Sequence, residues 1–191
     1  MARLVWLDHR IEVEGISFTC GYCESFVGPN SAFVSGLGYT RGLDRYIVIC
    51  TVCGMPTFLG QNVQVPGVKF GSSVSNISDP NILTLYEEAR DSASVSACTA
   101  SVMACRKILM NIAVQKGAAT DLSFAKYVDY LDSQGYIPPD GKAWVDKIRD
   151  KGNEANHEIA LMGQDDAILV LRFTEMLLKF VYELPALLRG A

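Results

Sequence analysis

The stretch "DPNILTLYEEA", residues 79–89, decides how the chain is read. Asp79 has the short side-chain acceptor that suits a helix N-cap, and Pro80 has a pre-set φ and no N–H to leave unpaired at the first helical position. Ahead of it, residues 1–78 are rich in Gly, Val, Phe and Ser, with short β-type runs such as "ISFTC", "SAFVSG", "RYIVIC" and "PTFLG" between turn residues. Behind it, helical periodicity runs almost to the end of the chain. The expected organisation is a small β-rich unit over 1–78 and a helical unit over 79–191.

Within the helical part, a first segment from 80 to about 116 is expected to bend in its Ser-rich middle, "DSASVSA". Ala89, Ala93, Ala97, Ala100 and Ala104 recur every three or four residues as a small-residue stripe, flanked by Met103 and Leu109. A second helix is predicted over about 122–133, stopped by Gly135, and a third over about 141–158 behind Asp140. A fourth, over about 165–184, is expected to turn Ile168, Leu169, Met176, Leu177, Phe180 and Val181 to one side and to end before Pro185. The fold class is therefore α+β, a small β unit followed by an antiparallel bundle of four to five helices.

The chain has 191 residues, 49% of them apolar and 20% charged, a composition that folds. Its net charge of −4 excludes a global basic field for holding nucleic acid. The first residues reach Asp8, Arg10 and Glu12 before an apolar run accumulates, and Arg172, Glu175, Lys179 and Glu183 interrupt the greasiest segment. A soluble, cytoplasmic protein with no membrane partner is the expectation. In that reducing compartment the six cysteines are not expected to form structural disulfides.

Cys20-Gly-Tyr-Cys23 and Cys50-Thr-Val-Cys53 are two CxxC pairs separated by 26 residues. Each pair presents two thiolates from one tight turn, and two facing turns supply the tetrahedral sulfur set that zinc prefers. Gly21 and Gly54 are expected to give the turns their permissive backbone. Four thiolates close the coordination shell, so the expected Zn2+ is structural. Cys98 and Cys105, seven apart on one helical face, are expected to be core packing. Arg41 and Arg45, between Tyr39 and Tyr46, offer only a weak nucleic-acid signal. Residues 1–79 hold five basic and six acidic side chains, which is not the balance of a tight nucleic-acid binder.

The succession "LYEEARDSASVSACTASVMACRKIL", "IRDKGNEANHE" and "DDAILVLRFTEMLLKFVYELP" resembles the bacterial and phage family of domain of unknown function 4145. That family is similar to the HEPN superfamily of helical bundles, and a zinc ribbon ahead of the bundle is a common arrangement in it. The resemblance covers roughly residues 80–186 and implies a bundle that often dimerises and occurs in restriction and other defence-associated proteins. Many HEPN proteins are metal-independent ribonucleases with an Arg, a following polar residue and a His. By this resemblance those roles fall to Arg149, Asp150 and His157.

Residues four apart on a helix advance by about 40°, so Arg149, Asn153 and His157 are expected along one side. His157 has the pKa to move a proton from a 2′-hydroxyl, Arg149 has the permanent charge to stabilise a phosphate, and Asp150 or Asn153 could orient them. A homodimer around this helix would double the constellation. In the other reading Arg149 pairs with Asp146 or Asp150 and His157 caps the helix end. The expected function is an RNA-directed, ribonuclease-like protein of defence or phage biology; the alternative is a noncatalytic module of a larger nuclease or regulatory assembly.

Overall fold

The computed structural model of the chain describes residues 11–34, 45–138, 146–148 and 161–189. They divide into two compact units, Met1–Lys69 and Phe70–Ala191. The first is built from antiparallel strands and the second from helices, an α+β architecture.

In the first unit β1 (Ile11–Glu12), β4 (Ser31–Val34), β5 (Tyr46–Ile49), β6 (Pro56–Gly60) and β7 (Val63–Val65) form one sheet in the order β1-β4-β5-β6-β7. A second sheet pairs β2 (Phe18–Thr19) with β3 (Phe26–Val27). The four apolar runs of the sequence supply β2, β4, β5 and β6, while the two- and three-residue β1, β3 and β7 are too short to leave a period. Ala32 lies opposite Val48, and Val48 opposite Thr57, so one row of buried side chains crosses three strands. The core they form with Phe18, Val27 and Val34 is small, and Cys20 and Cys50 are part of it.

In the second unit, α1 (Pro80–Ser94) starts as expected: the Asp79 carboxylate accepts from the Asn81 N–H at 2.9 Å, with Pro80 behind it. The Ser-rich middle ends the helix rather than bending it. Ser96 takes φ +61°, its N–H bonds to the Ala93 carbonyl and the Ala97 N–H to the Ser92 carbonyl. This is the paired-bond C-terminal motif usually made by glycine. α2 (Cys98–Gln115) then begins afresh. The break interrupts the alanine stripe: Ala89 and Ala93 are buried on α1, whereas Ala97 and Ala100 are exposed and Met103 is 46% exposed.

α2 packs against α1, α3 (Phe124–Ser133) and α4 (Gln164–Leu178), which is why its buried residues, from Cys98 to Ala113, occupy more than one face. α3 ends as the sequence indicates, with Gly135 at φ +75° and the Tyr136 N–H bonded to the Leu131 carbonyl. Asp166 accepts from the Gly163 N–H at 3.1 Å and, with Asp165, puts negative charge at the start of α4. The inward face of α4 is Ala167, Val170, Leu171, Thr174, Leu177 and Leu178, continuing to Val181; Phe180 is 46% exposed. Pro185 does not end the helix. Over Lys179–Glu183 the backbone widens into a π-helical turn, in which the Leu184 N–H bonds to the Lys179 carbonyl, and α5 (Leu184–Arg189) follows. A proline missing its N–H is tolerated at the start of the new helical segment. The helix expected over about 141–158 lies outside the described residues except for 146–148, which are helical, with Ile148 buried in the core.

The helical unit also takes in residues 70–78, ahead of the expected boundary. Arg90, fully buried on α1, donates from Nε to the Phe70 carbonyl at 2.9 Å and from Nη2 to the Gly71 carbonyl at 3.1 Å. The Tyr86 hydroxyl donates to the Ser72 carbonyl at 2.8 Å. Glu175 on α4 accepts from the Ser72 hydroxyl at 2.6 Å, and Glu183 in the π-helical turn accepts from the Ser75 N–H at 2.8 Å. Val74 is buried beneath this strap and Phe70 packs on the same core.

Candidate metal centre

Cys20 and Cys50 each close a turn of the same design. The Cys20 N–H bonds to the Ser25 carbonyl at 2.9 Å and the Glu24 N–H returns to the Cys20 carbonyl at 2.9 Å. In the second turn the Cys50 N–H bonds to the Met55 carbonyl at 3.0 Å and the Gly54 N–H to the Cys50 carbonyl at 2.9 Å. Both turns need a left-handed residue after the second cysteine, filled by Gly54 at φ +73° and by Glu24 at φ +60°. Gly21 has a different task from the one its sequence position suggests. A Cβ there would meet the Gly67 carbonyl oxygen, and the Pro66 oxygen at 2.8 Å, so glycine lets the 66–67 segment lie against the turn. Gln64 completes that packing by donating to the Thr19 carbonyl at 2.7 Å and to the Pro66 carbonyl at 3.0 Å.

The two turns face each other with all four sulfurs within 4.8 Å of one another. Cys20 Sγ is 3.7 Å from Cys53 Sγ, and Cys23 Sγ is 3.7 Å from Cys50 Sγ. These separations are far from the ~2.05 Å of a disulfide, and all six cysteines are free. Cys20 and Cys50 are buried, Cys23 is half-buried and Cys53 is exposed.

The four thiols perturb one another. Hydrogen bonds from the Ser25 hydroxyl and N–H lower the Cys23 thiol to about 6. The Cys53 N–H lowers Cys50. Cys53 goes the other way: the Met55 N–H favours its thiolate, but burial and the crowding of Cys23, Cys50 and Cys20 raise it to about 12. Four thiolates so close together repel unless a positive charge sits among them, so ligand deprotonation and metal binding go together. The cluster could hold a metal ion.

Sequence spacing brings these four residues together correctly but misses Ser25, Glu24 and Gln64. Glu24 acts through its left-handed backbone and Ser25 through its hydroxyl and N–H, and Gln64 lies eleven residues beyond Cys53 with no marker of its role. Cys98 and Cys105 are buried in the helical core, as expected, and burial raises the Cys105 thiol to about 12, which leaves it inert. Arg149, Asp150, Asn153 and His157 lie outside the described residues, as do Tyr39 and Arg41. Arg106, buried on α2, stacks its guanidinium 4.6 Å from the centre of the Phe124 ring. Among the described residues no helix is long and apolar enough to cross a membrane.

No curated protein and no solved structure matches the chain. Residues 87–189, more than half of its length, match the family model described as Domain of unknown function (DUF4145), and the chain belongs to that family.

Proposed function

We propose that the first unit is a zinc ribbon holding one structural Zn2+, that the second is a HEPN-like bundle, and that the chain is a noncatalytic interaction module of a larger assembly. The sulfur geometry carries the zinc assignment. Zn–S bonds of ~2.3 Å in a tetrahedron require S···S edges of ~3.8 Å, close to the two separations of 3.7 Å. Four thiolates leave no position for substrate, so the metal stabilises and does not react. Among the described residues of the unit few side chains are buried, which supports the same role, since a core this small needs a staple. In the helical unit the polar groups Arg90, Tyr86, Glu175 and Glu183 are engaged in holding the strap. Exposed apolar side chains lie beside the metal-binding turns, with Phe26 at 74% and Val52 at 66%.

A second reading keeps RNA as the target and is favoured by one sequence observation, the Arg149, Asn153 and His157 series. In it Arg149 stabilises phosphate charge, His157 moves the proton, Asp150 or Asn153 orients them, and a homodimer brings two copies together in a defence or phage setting.

One set of measurements separates the readings. Protein purified without chelators should carry one zinc per chain by elemental analysis and leave RNA intact in metal-free buffer. RNA products with 2′,3′-cyclic phosphate ends, lost in His157→Ala and Arg149→Ala, would establish the ribonuclease instead. Protein that contains no zinc would remove the ribbon from both.

A further inference from the structure

The four sulfurs of the cluster are unequal in their access to solvent, and that inequality crosses the two turns. Cys53, from the second turn, is exposed and Cys23, from the first, is half-buried, while Cys20 and Cys50 are buried behind them. Each accessible sulfur has a buried neighbour from the opposite turn at 3.7 Å, Cys20 for Cys53 and Cys50 for Cys23. From this geometry we propose that the metal centre is a reversible oxidation site for hydroperoxides, which cross-link the two turns and release the metal. The inference rests on the zinc reading above and adds a modification to it.

In the metal-loaded protein all four ligands would be thiolates, and the exposed Cys53 thiolate attacks one oxygen of hydrogen peroxide; the O–O bond breaks, leaving Cys53 sulfenic acid and a hydroxide that takes a proton to become water. The Cys20 thiolate attacks the Cys53 sulfur, the S–O bond breaks, and the departing hydroxide also leaves as water. Two thiolates, one peroxide and two protons become one disulfide and two waters, with the sulfurs oxidised by two electrons and the peroxide oxygens reduced. The ion, left with two ligands, loses its tetrahedral shell. A second peroxide joins Cys23 to Cys50 by the same steps. The backbone bonds that shape each turn, such as Cys20 N–H to Ser25 and Cys50 N–H to Met55, do not involve the sulfurs and can persist. A dithiol then reduces each bridge by thiol–disulfide exchange, giving two electrons and two protons to the cysteine pair and becoming a disulfide itself, and the ligands return to a nearly formed site.

Selectivity follows from burial. Cys98 and Cys105 are enclosed in the helical core and offer peroxide no approach.

The full-length zinc-loaded protein is titrated with hydrogen peroxide while a chromogenic chelator reads released zinc, and the products are digested without reduction. Arg10, Arg41, Arg45 and Lys69 place Cys20 and Cys23 on one tryptic peptide and Cys50 and Cys53 on another. Zinc should appear at one equivalent per chain, with the two peptides covalently joined. Cys98 and Cys105 should stay reduced, reacting at least ~10-fold more slowly, and a dithiol with added zinc should reload the site. Separate peptides, each with an internal disulfide, would overturn the cross-turn geometry. Zinc retained at a peroxide level that fully oxidises free glutathione would overturn the inference and leave the structural zinc standing. Protein with no zinc before peroxide is added would overturn both.

Discussion

Removing residues 70–78 tests whether the helical unit begins where helical periodicity begins or at the strap before it. A fragment starting at Asp79 keeps all of α1 but takes the Phe70 and Gly71 carbonyls from Arg90 and the Ser72 carbonyl from Tyr86. Hydrogen bonds to a charged group contribute ~1.5–3 kcal/mol each, the neutral Tyr86 bond ~1 kcal/mol, and burial of a side chain such as Val74 ~1.5 kcal/mol. Opening the strap also lets water reach the guanidinium, which offsets part of the loss. The expected destabilisation relative to residues 70–191 is therefore ~3–5 kcal/mol, a large share of a typical domain's ~5–15 kcal/mol. With a slope of ~1–3 kcal/mol per molar, the urea midpoint should fall by about 2 M or the fragment should fail to fold. Arg90→Met supplies the control. It should cost ~3 kcal/mol in residues 70–191 and much less in 79–191, because its carbonyl partners are already gone. Equal midpoints for the two fragments, or an equal cost of Arg90→Met in both, would refute the assignment of the strap to this unit.

If the first unit is the zinc ribbon proposed above, Cys50→Ser should abolish zinc binding and the dispersed amide spectrum of that unit while the spectrum of residues 70–191 is kept, as read by two-dimensional NMR. Gly21→Ala should destabilise the first unit by ~1–3 kcal/mol, because the added methyl meets the Pro66 and Gly67 carbonyls, and a competing chelator should strip its zinc more readily. Ser96→Gly should raise the thermal stability of the helical unit by up to ~1 kcal/mol by relieving the left-handed backbone, whereas Ser96→Val should lower it. The strap should loosen in acid. Burial works against the Glu175 carboxylate, but bonds from Lys179 and Ser72 hold its pKa below the usual range, and Ser75 does the same for Glu183. A carboxylate with a lowered folded pKa stabilises above its unfolded value of ~4.3 and loses that contribution as pH falls through the folded value. Protection of the Ser75 amide from hydrogen exchange should accordingly decline below about pH 4.3, and Glu183→Gln should remove most of that dependence.

The chain's own chemistry was enough to mark the cysteine cluster, because CxxC spacing is a local property and two such pairs have few other uses. It also marked the starts and stops that depend on one residue: Asp79 with Pro80 at the head of α1, and Gly135 after α3. What it could not show was any feature whose reason lies far along the chain. Arg90 looks like one more charged residue on a helix until Phe70 and Gly71 turn their carbonyls toward it. Gly21 looks like a turn glycine, yet it is required by the approach of residues 66–67, and the left-handed position falls on Glu24. The buried face of α4 and the turn after it is only partly legible, because apolar residues surround the helix: Leu177 and Val181 are buried as expected, but packing against α2 and α1 selects Val170, Leu171, Thr174 and Leu178 over Ile168 and Phe180. Pro185 marks a helix end in sequence, but a π-helical turn rearranges the hydrogen bonds ahead of it and the chain continues as α5. Local signals of spacing and capping survive in one dimension; burial, close approach and partner choice are decided by tertiary structure because they depend on residues that only folding brings together.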